Sequence, residues 1–307
     1  MKKTIYCPDI TCESCVKVLT KQFQNRKGVQ SFFIGNSAID VDYNPEIIKE
    51  EDLLKLIHEK GYRASFSVFG RASFSERAKD FMTNKEKYAL EYKMLTYAAA
   101  SFLLLFAPQF LIWHIFFNHD PATLTKYIWW VFYLNLSVVT IGAAIWHYHA
   151  YKAQITHMIG MMVGMTIGMV SGLLVGTLVG ATNGMFMGTL VGLLFGVTIG
   201  ALNGKCCGIM GIMEGMMAGV MGGTMGPMIS LMMKYDYLLL FMPLFMLVNM
   251  IILWGLSYML YEEVIEENPN VERKPLDFFT FFSFCFLATI ILLAIMIFGY
   301  KSPLGIA

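Results

Sequence analysis

Three groups of sulfur ligands stand out along the chain. Cys12 and Cys15 form a CxxC in "ITCESC", and Cys206 and Cys207 stand side by side in "NGKCCG". Methionines recur at four-residue steps at Met161, Met165 and Met169, and again at Met213, Met217, Met221 and Met225. Thiolates and thioethers are soft donors that favour Cu(I) and similar soft ions over hard cations. The six cysteines could suggest three disulfides, but a CxxC, an adjacent pair and a lone Cys285 in an apolar run point to metal or redox chemistry. Cys7 is either a third thiol near the CxxC or a small buried cysteine at a strand end. His147, His149 and His157 in "HYHAYKAQITH", with Met158 and Met162 just beyond, add further candidate ligands. For these histidines a solvated loop is the simpler reading.

Such ligands need elements to hold them, and composition says which kind. The chain has 307 residues, 56% hydrophobic and 15% charged, with a net charge of +1. That apolarity is a membrane protein's, and the charge balance points to no nucleic-acid partner. Residues 1 to 93 carry most of the charge, and apolar runs follow. "MKKTIYCPDITCESC" has basic residues without an apolar stretch behind them, so the expectation is a cytosolic amino-terminal domain with reduced thiols, in a protein of the plasma membrane.

Residues 1–68 alternate between strand and helix patterns. "KTIYC", "VQSFFIG", "AIDVDY" and "YRASFSV" have strand character, with a turn at Gly35-Asn36. "ESCVKVLTKQFQN" spaces Val16, Leu19 and Phe23 as a helix does, and "PEIIKEEDLLKLIHEKG" is a second helix between Pro45 and Gly61. The order βαββαβ is a ferredoxin-like α+β sandwich. It puts Cys12 and Cys15 on an exposed loop and first helical turn, where backbone N–H groups and the helix dipole favour a thiolate. Two such thiolates suit linear Cu(I) and its handover by ligand exchange.

With that motif in that setting, residues 2–68 resemble the heavy-metal-associated domain of copper chaperones and copper-pumping ATPases, through "ITCESC" and the later "GYRA". The resemblance implies that Cys12 and Cys15 are the ligands and that Tyr62 sits beside the metal loop. The family usually reads Gly-Met before its CxxC motif, where this chain has Asp9 and Ile10. The family's Met is a packing residue, so Ile10 should preserve the fold. Thr11 fits a Cu(I) site better than the acidic neighbours of zinc and cadmium versions.

After a charged helical linker, residues 69–93, an all-α membrane domain is expected over 94–303. A helix needs ~20 residues to cross a bilayer. Spans are expected near 94–117, 127–146, 158–181, 184–203, 206–233, 237–260 and 278–299. Turn signals at Asn183-Gly184 and Asn203-Gly204-Lys205 cut the long Gly/Met-rich core 158–233 into three. Seven spans with an external carboxyl terminus place Lys85, Lys87, Lys93, Lys152, Lys205, Arg273 and Lys274 inside and Lys126, Lys234 and Lys301 outside, in the sense of the positive-inside rule. Six spans is the alternative, if one glycine-rich segment re-enters.

Thirteen glycines keep a four-residue beat from Gly160 to Gly208. In lipid, small residues at i and i+4 let helix backbones approach closely, so three glycine-zippered helices are expected. Sixteen of the 24 methionines lie in 158–233. A thioether ladder offers weak sites in series, which conduction needs, although methionine also fills apolar cores. The ladder is similar to the MxxxM selectivity motif of eukaryotic copper permeases. Glu214 is the sole carboxylate of the glycine-rich core, a candidate for cation attraction or proton coupling, or for a helix-end role beside Lys205.

No "DKTG", "TGE", "CPC" or Walker A motif occurs, and no base, nucleophile or cofactor loop is arranged for an enzyme. The sequence therefore points to an ATP-independent Cu(I) transporter in the lipid bilayer, in which Cys206 and Cys207 exchange metal with Cys12 and Cys15. Other soft ions, a soluble copper chaperone or copper enzyme as partner, and a homo-oligomer are compatible with it. The alternatives are a non-transporting copper buffer or delivery factor, and Hg(II) uptake, since the vicinal cysteines are similar to those of mercuric transporters.

Overall fold

The structure is a computed structural model, and it describes residues 1–10, 13–24, 26–35, 37–60, 62–67, 88–116, 121–152, 157–265, 272–273 and 277–302. Two compact units divide the chain: residues 1–88 with 151–156 and 261–273, and residues 89–150, 157–260 and 274–307.

The first unit begins β1 (Lys2–Tyr6), α1 (Glu13–Gln24), β2 (Val29–Ile34), β3 (Ala38–Tyr43) and α2 (Glu50–His58). The three strands are antiparallel in the order β1-β3-β2, as a ferredoxin-like sandwich requires. Alternation along "AIDVDY" turns Ile39, Val41 and Tyr43 into the core and leaves Asp40 and Asp42 outside it. Leu19 and Phe23 of α1 and Leu53 and Ile57 of α2 close the core, each worth about 1.5–3 kcal/mol of apolar burial. Where a last strand is expected over 62–68, the described residues 62–67 make a single antiparallel bridge, Ser65 to Tyr6. The Ser65 hydroxyl accepts the Ser67 N–H at 3.2 Å, and this local bond competes with the ladder. The helix expected from Pro45 starts at Glu50, because the Asn44 side chain takes the Glu46 N–H and its carbonyl takes those of Ile47 and Ile48 in a turn. The unit also contains a two-stranded pairing, β4 (Tyr151–Lys152) with β5 (Glu272–Arg273).

The second unit is all helical: α3 (Ala89–Phe116), α4 (Pro121–Ala150), α5 (His157–Asn183), α6 (Met185–Gly204), α7 (Gly208–Met232), α8 (Leu238–Leu260) and α9 (Phe278–Phe298). Residues 89–93, read from sequence as linker, already belong to α3, while 69–87 lie outside the described residues. Six stretches among the described residues are long and apolar enough to cross a membrane. One of them, Met185–Met232 with 48 residues, is α6 and α7 folded back on each other through a 3-10 turn, Lys205–Cys207. At ~1.5 Å per residue, the 20 residues of α6 alone match a bilayer core. Gly208 ends the turn with φ of +70°, a conformation that other residues adopt only at a cost.

Helices α5, α6 and α7 pack on one another more closely than any other pair of elements. Their glycine faces meet backbone to backbone. A Cβ on Gly168 would lie 2.8 Å from the Gly215 carbonyl oxygen and 2.9 Å from the Gly200 Cα. One on Gly192 would lie 2.7 Å from the Gly176 Cα, and one on Gly172 would lie 2.7 Å from the Gly223 nitrogen. The glycine repeat thus removes the side chains that would hold these axes apart. Helix α5 also packs against α4, α8 and α9. Elsewhere, the buried amides of Gln109 and Asn135 exchange two hydrogen bonds between α3 and α4, at 2.6 and 2.8 Å.

Candidate metal site

In the first unit Cys12, like Thr11, lies outside the described residues. Cys15 opens the buried face of α1, in line with Leu19 and Phe23 at four-residue steps, and is 2% exposed. Its place at the start of the first helix is the expected one, but the side chain is buried in the core and not exposed. Ile10, Tyr62 and Cys7 are buried in the same cluster. Burial pushes the Cys7 thiol up to about 12, with the Asp9 charge adding to the shift. At neutral pH Cys7 is therefore a packed thiol.

Asp9, one of the two departures from the family pattern, has a partner that sequence reasoning missed. Its buried carboxylate receives Arg63 Nη2 at 2.7 Å, Arg63 Nε at 3.1 Å and the Arg63 backbone N–H at 2.7 Å. Arg63 Nη1 also donates to the Glu262 carbonyl at 2.8 Å. The segment leading into the CxxC is so tied to the residue after Tyr62. The signal was present as "GYRA" and the unexpected Asp9, but nothing local joins two residues 54 positions apart.

In the second unit the 3-10 turn between α6 and α7 brings Cys206 and Cys207 together, with Sγ atoms 3.3 Å apart. Cys207 is buried, and Cys206 is exposed. Cys207 sits on the first turn of α5, where the Gly160 and Met161 backbone amides donate to it. Tyr148, near the end of α4, neighbours Cys206. Gly160 is the first step of the glycine beat, yet here it faces sulfur: a Cβ built on it would overlap Cys207 Sγ and lie 2.6 Å from Cys206 Sγ.

Among the described residues no His, Asp or Glu joins these cysteines in a group of three. His147 is buried and faces the Glu91 charge, and His149 turns its Nδ1 to the Ile145 carbonyl at 2.8 Å. The His157 side chain lies outside the described residues. Met158 and Met162 are about half exposed. Among the described residues no three of His, Cys, Asp and Glu converge on one point.

The methionine ladder of α7 faces away from the glycine seam: Met213, Met217, Met221 and Met225 are all exposed on the surface of the unit. On α5, Met165 is exposed and Met161 and Met169 are half-buried. Glu214 is half-buried on α7. Glycine backbones fill the interior of the three-helix bundle, and the ladders lie outside it.

A family model described as the heavy-metal-associated domain matches residues 4–63. No curated protein and no solved structure matches the chain. The matched stretch contains both Cys12 and Cys15, and its β-α-β-β-α order is the one described above. Residues 4–63 are therefore a heavy-metal-associated domain, a binder of heavy-metal ions, carried by a chain whose helices are long and apolar enough to span a membrane.

Proposed function

We propose that this is an ATP-independent Cu(I)-handling protein of the plasma membrane. In this reading it is not an enzyme: Cys12 and Cys15 of a cytosolic domain exchange metal with Cys206 and Cys207 of the helix bundle. The observation that carries the reading is the pairing, in one chain, of a heavy-metal-associated domain with a second dithiol in a helical unit of membrane-spanning length. Four helices of membrane-spanning length, α3 to α6, lie between the two dithiols in the chain.

Transport is the preferred form of this function. The methionine ladders face outward from a bundle whose interior is closed by glycine contacts, so a thioether-lined path would form between copies of the chain in a homo-oligomer. The glycine zipper then acts as a rigid backing that presents the methionine faces. Two thiolates suffice for linear Cu(I), whereas Zn²⁺ takes four ligands.

The test is Cu(I) flux into proteoliposomes holding the purified protein, beside a variant with Met161, Met165, Met217 and Met221 changed to leucine, which conserves volume. Flux that disappears in the variant supports a methionine path. Copper bound by both proteins without flux in either would sink transport and leave a buffer or delivery protein.

A further inference from the structure

The surroundings of the vicinal thiols go beyond what the motif alone implies. Three parts of the fold meet at two sulfur atoms: the end of α4 at Tyr148, the first turn of α5 at Gly160 and Met161, and the 3-10 turn that carries both cysteines. Gly160 leaves the space the sulfurs occupy. Beside the turn, Asn203 is 3% exposed, and its side-chain oxygen Oδ1 has no hydrogen-bond donor. Its backbone carbonyl lies 3.8 Å from Cys206 Sγ.

The two thiols differ in access. Cys207 is buried, whereas Cys206 is exposed and its thiol points to the Asn203 and Gly204 carbonyls at 3.8 and 4.0 Å. With metal–sulfur bonds of ~2.3 Å, two sulfurs on one ion stand at most ~4.6 Å apart. The observed 3.3 Å is inside that reach, and rotation of the exposed Cys206 side chain would open the pair toward linear coordination.

We propose that Cys206, Cys207 and Tyr148 form a built two-sulfur site for a soft monovalent d¹⁰ cation. Cys207 is the anchoring ligand, Cys206 the ligand that exchanges metal, and Tyr148 the positioning residue that holds Cys206 through its hydroxyl. Each thiol that ligates the ion forms one S–metal bond and releases one proton to water, with no change of oxidation state. Backbone N–H donors and the amino-terminal end of α5 stabilise the negative charge left on sulfur. This deepens the metal-handling reading above and rests on it.

The probe is Ag(I), soft and redox-stable, added to the full-length protein in detergent and counted by native mass spectrometry. With Cys12→Ser and Cys15→Ser in place, one equivalent should remain bound. Adding Cys206→Ser and Cys207→Ser should remove it. Tyr148→Phe fills the same space without the hydroxyl, so it should keep the equivalent but surrender it to glutathione about tenfold faster. In the unmodified protein, which needs no variant to fold, Ag(I) should protect Cys206 from alkylation, read by peptide mapping. No retained equivalent in the first variant, undiminished binding after loss of both cysteines, or a vicinal disulfide in place of protection would each overturn the site. An unchanged release rate in Tyr148→Phe would remove Tyr148 from it. An empty pair in a protein whose amino-terminal domain still binds Ag(I) sinks this site alone. A loaded pair without flux sinks only transport.

Discussion

Gly160 on α5 and Cys207 in the turn after α6 occupy touching positions, such that a methyl group at Gly160 would fall on the Cys207 sulfur. The glycine beat along α5 therefore serves two purposes: close backbone contact over most of its length, and room for thiols at its first step. Gly160→Ala should displace the pair, weaken Ag(I) retention at Cys206 and Cys207 by about tenfold or more, and destabilise the packing by about 1–3 kcal/mol. Native mass spectrometry in the Cys12→Ser, Cys15→Ser background reads the first effect. Unchanged retention there would show that the cysteine pair tolerates displacement.

The glycine seam predicts a sharp contrast between helical glycines. Gly172→Ala and Gly192→Ala place a Cβ under 3 Å from backbone atoms that cannot yield, so each should destabilise by about 1–3 kcal/mol or more despite the better helix propensity of alanine. Gly255 of α8 has nothing within 4 Å of such a Cβ. Gly255→Ala should be neutral or stabilising by up to ~1 kcal/mol. Thermal melts followed by size-exclusion in detergent would separate them, and equal melting of all three would contradict the packing.

The Asp9–Arg63 pair should behave as a coupled unit. Removing Arg63 leaves a carboxylate that is 4% exposed without its guanidinium, a loss of about 3 kcal/mol from the first unit. A double-mutant cycle of Asp9→Asn and Arg63→Gln, read by hydrogen exchange over residues 1–67, should give a double variant less destabilised than the sum of the singles. Strict additivity would mean that the pair does not hold the segment.

Cys7 gives a pH signature. Its folded value near 12 lies above the ordinary 9, so the folded domain holds a proton that the unfolded chain releases. Stability from this group is complete below pH 9 and falls by roughly 1.4 kcal/mol per pH unit between 9 and 12. Cys7 should resist iodoacetamide at pH 8 in the folded protein and react on denaturation. Its replacement by alanine should leave metal stoichiometry unchanged. Labelling of Cys7 at pH 8 without unfolding would refute its burial.

The amide pair of Gln109 and Asn135 should join α3 to α4 through its two hydrogen bonds. Asn135→Leu should lower stability by about 1–2 kcal/mol, and Gln109→Leu on top of it should cost little more, because the orphaned amide goes too. Detergent-titration unfolding of the two singles and the double variant checks this.

What the sequence by itself determined is periodic or contiguous. The glycine beat, the span lengths, the turns at Gly184 and after Asn203, and the alternation of "AIDVDY" all act through near neighbours, where helix or strand geometry sets which residues share a face. The CxxC was legible for the same reason. Tertiary structure alone decided the rest. Asp9 meets Arg63 and β4 meets β5 across separations that no local pattern encodes. Tyr148 reads as one more aromatic in "HYH" until packing of α4 beside the turn makes it a neighbour of Cys206. The methionine ladders and the glycines sit on the same helices at the same four-residue spacing, so periodicity could not say which stripe faces inward. The absence of a side chain resolves it: backbones can close only on glycine, and that contact turns the methionines out.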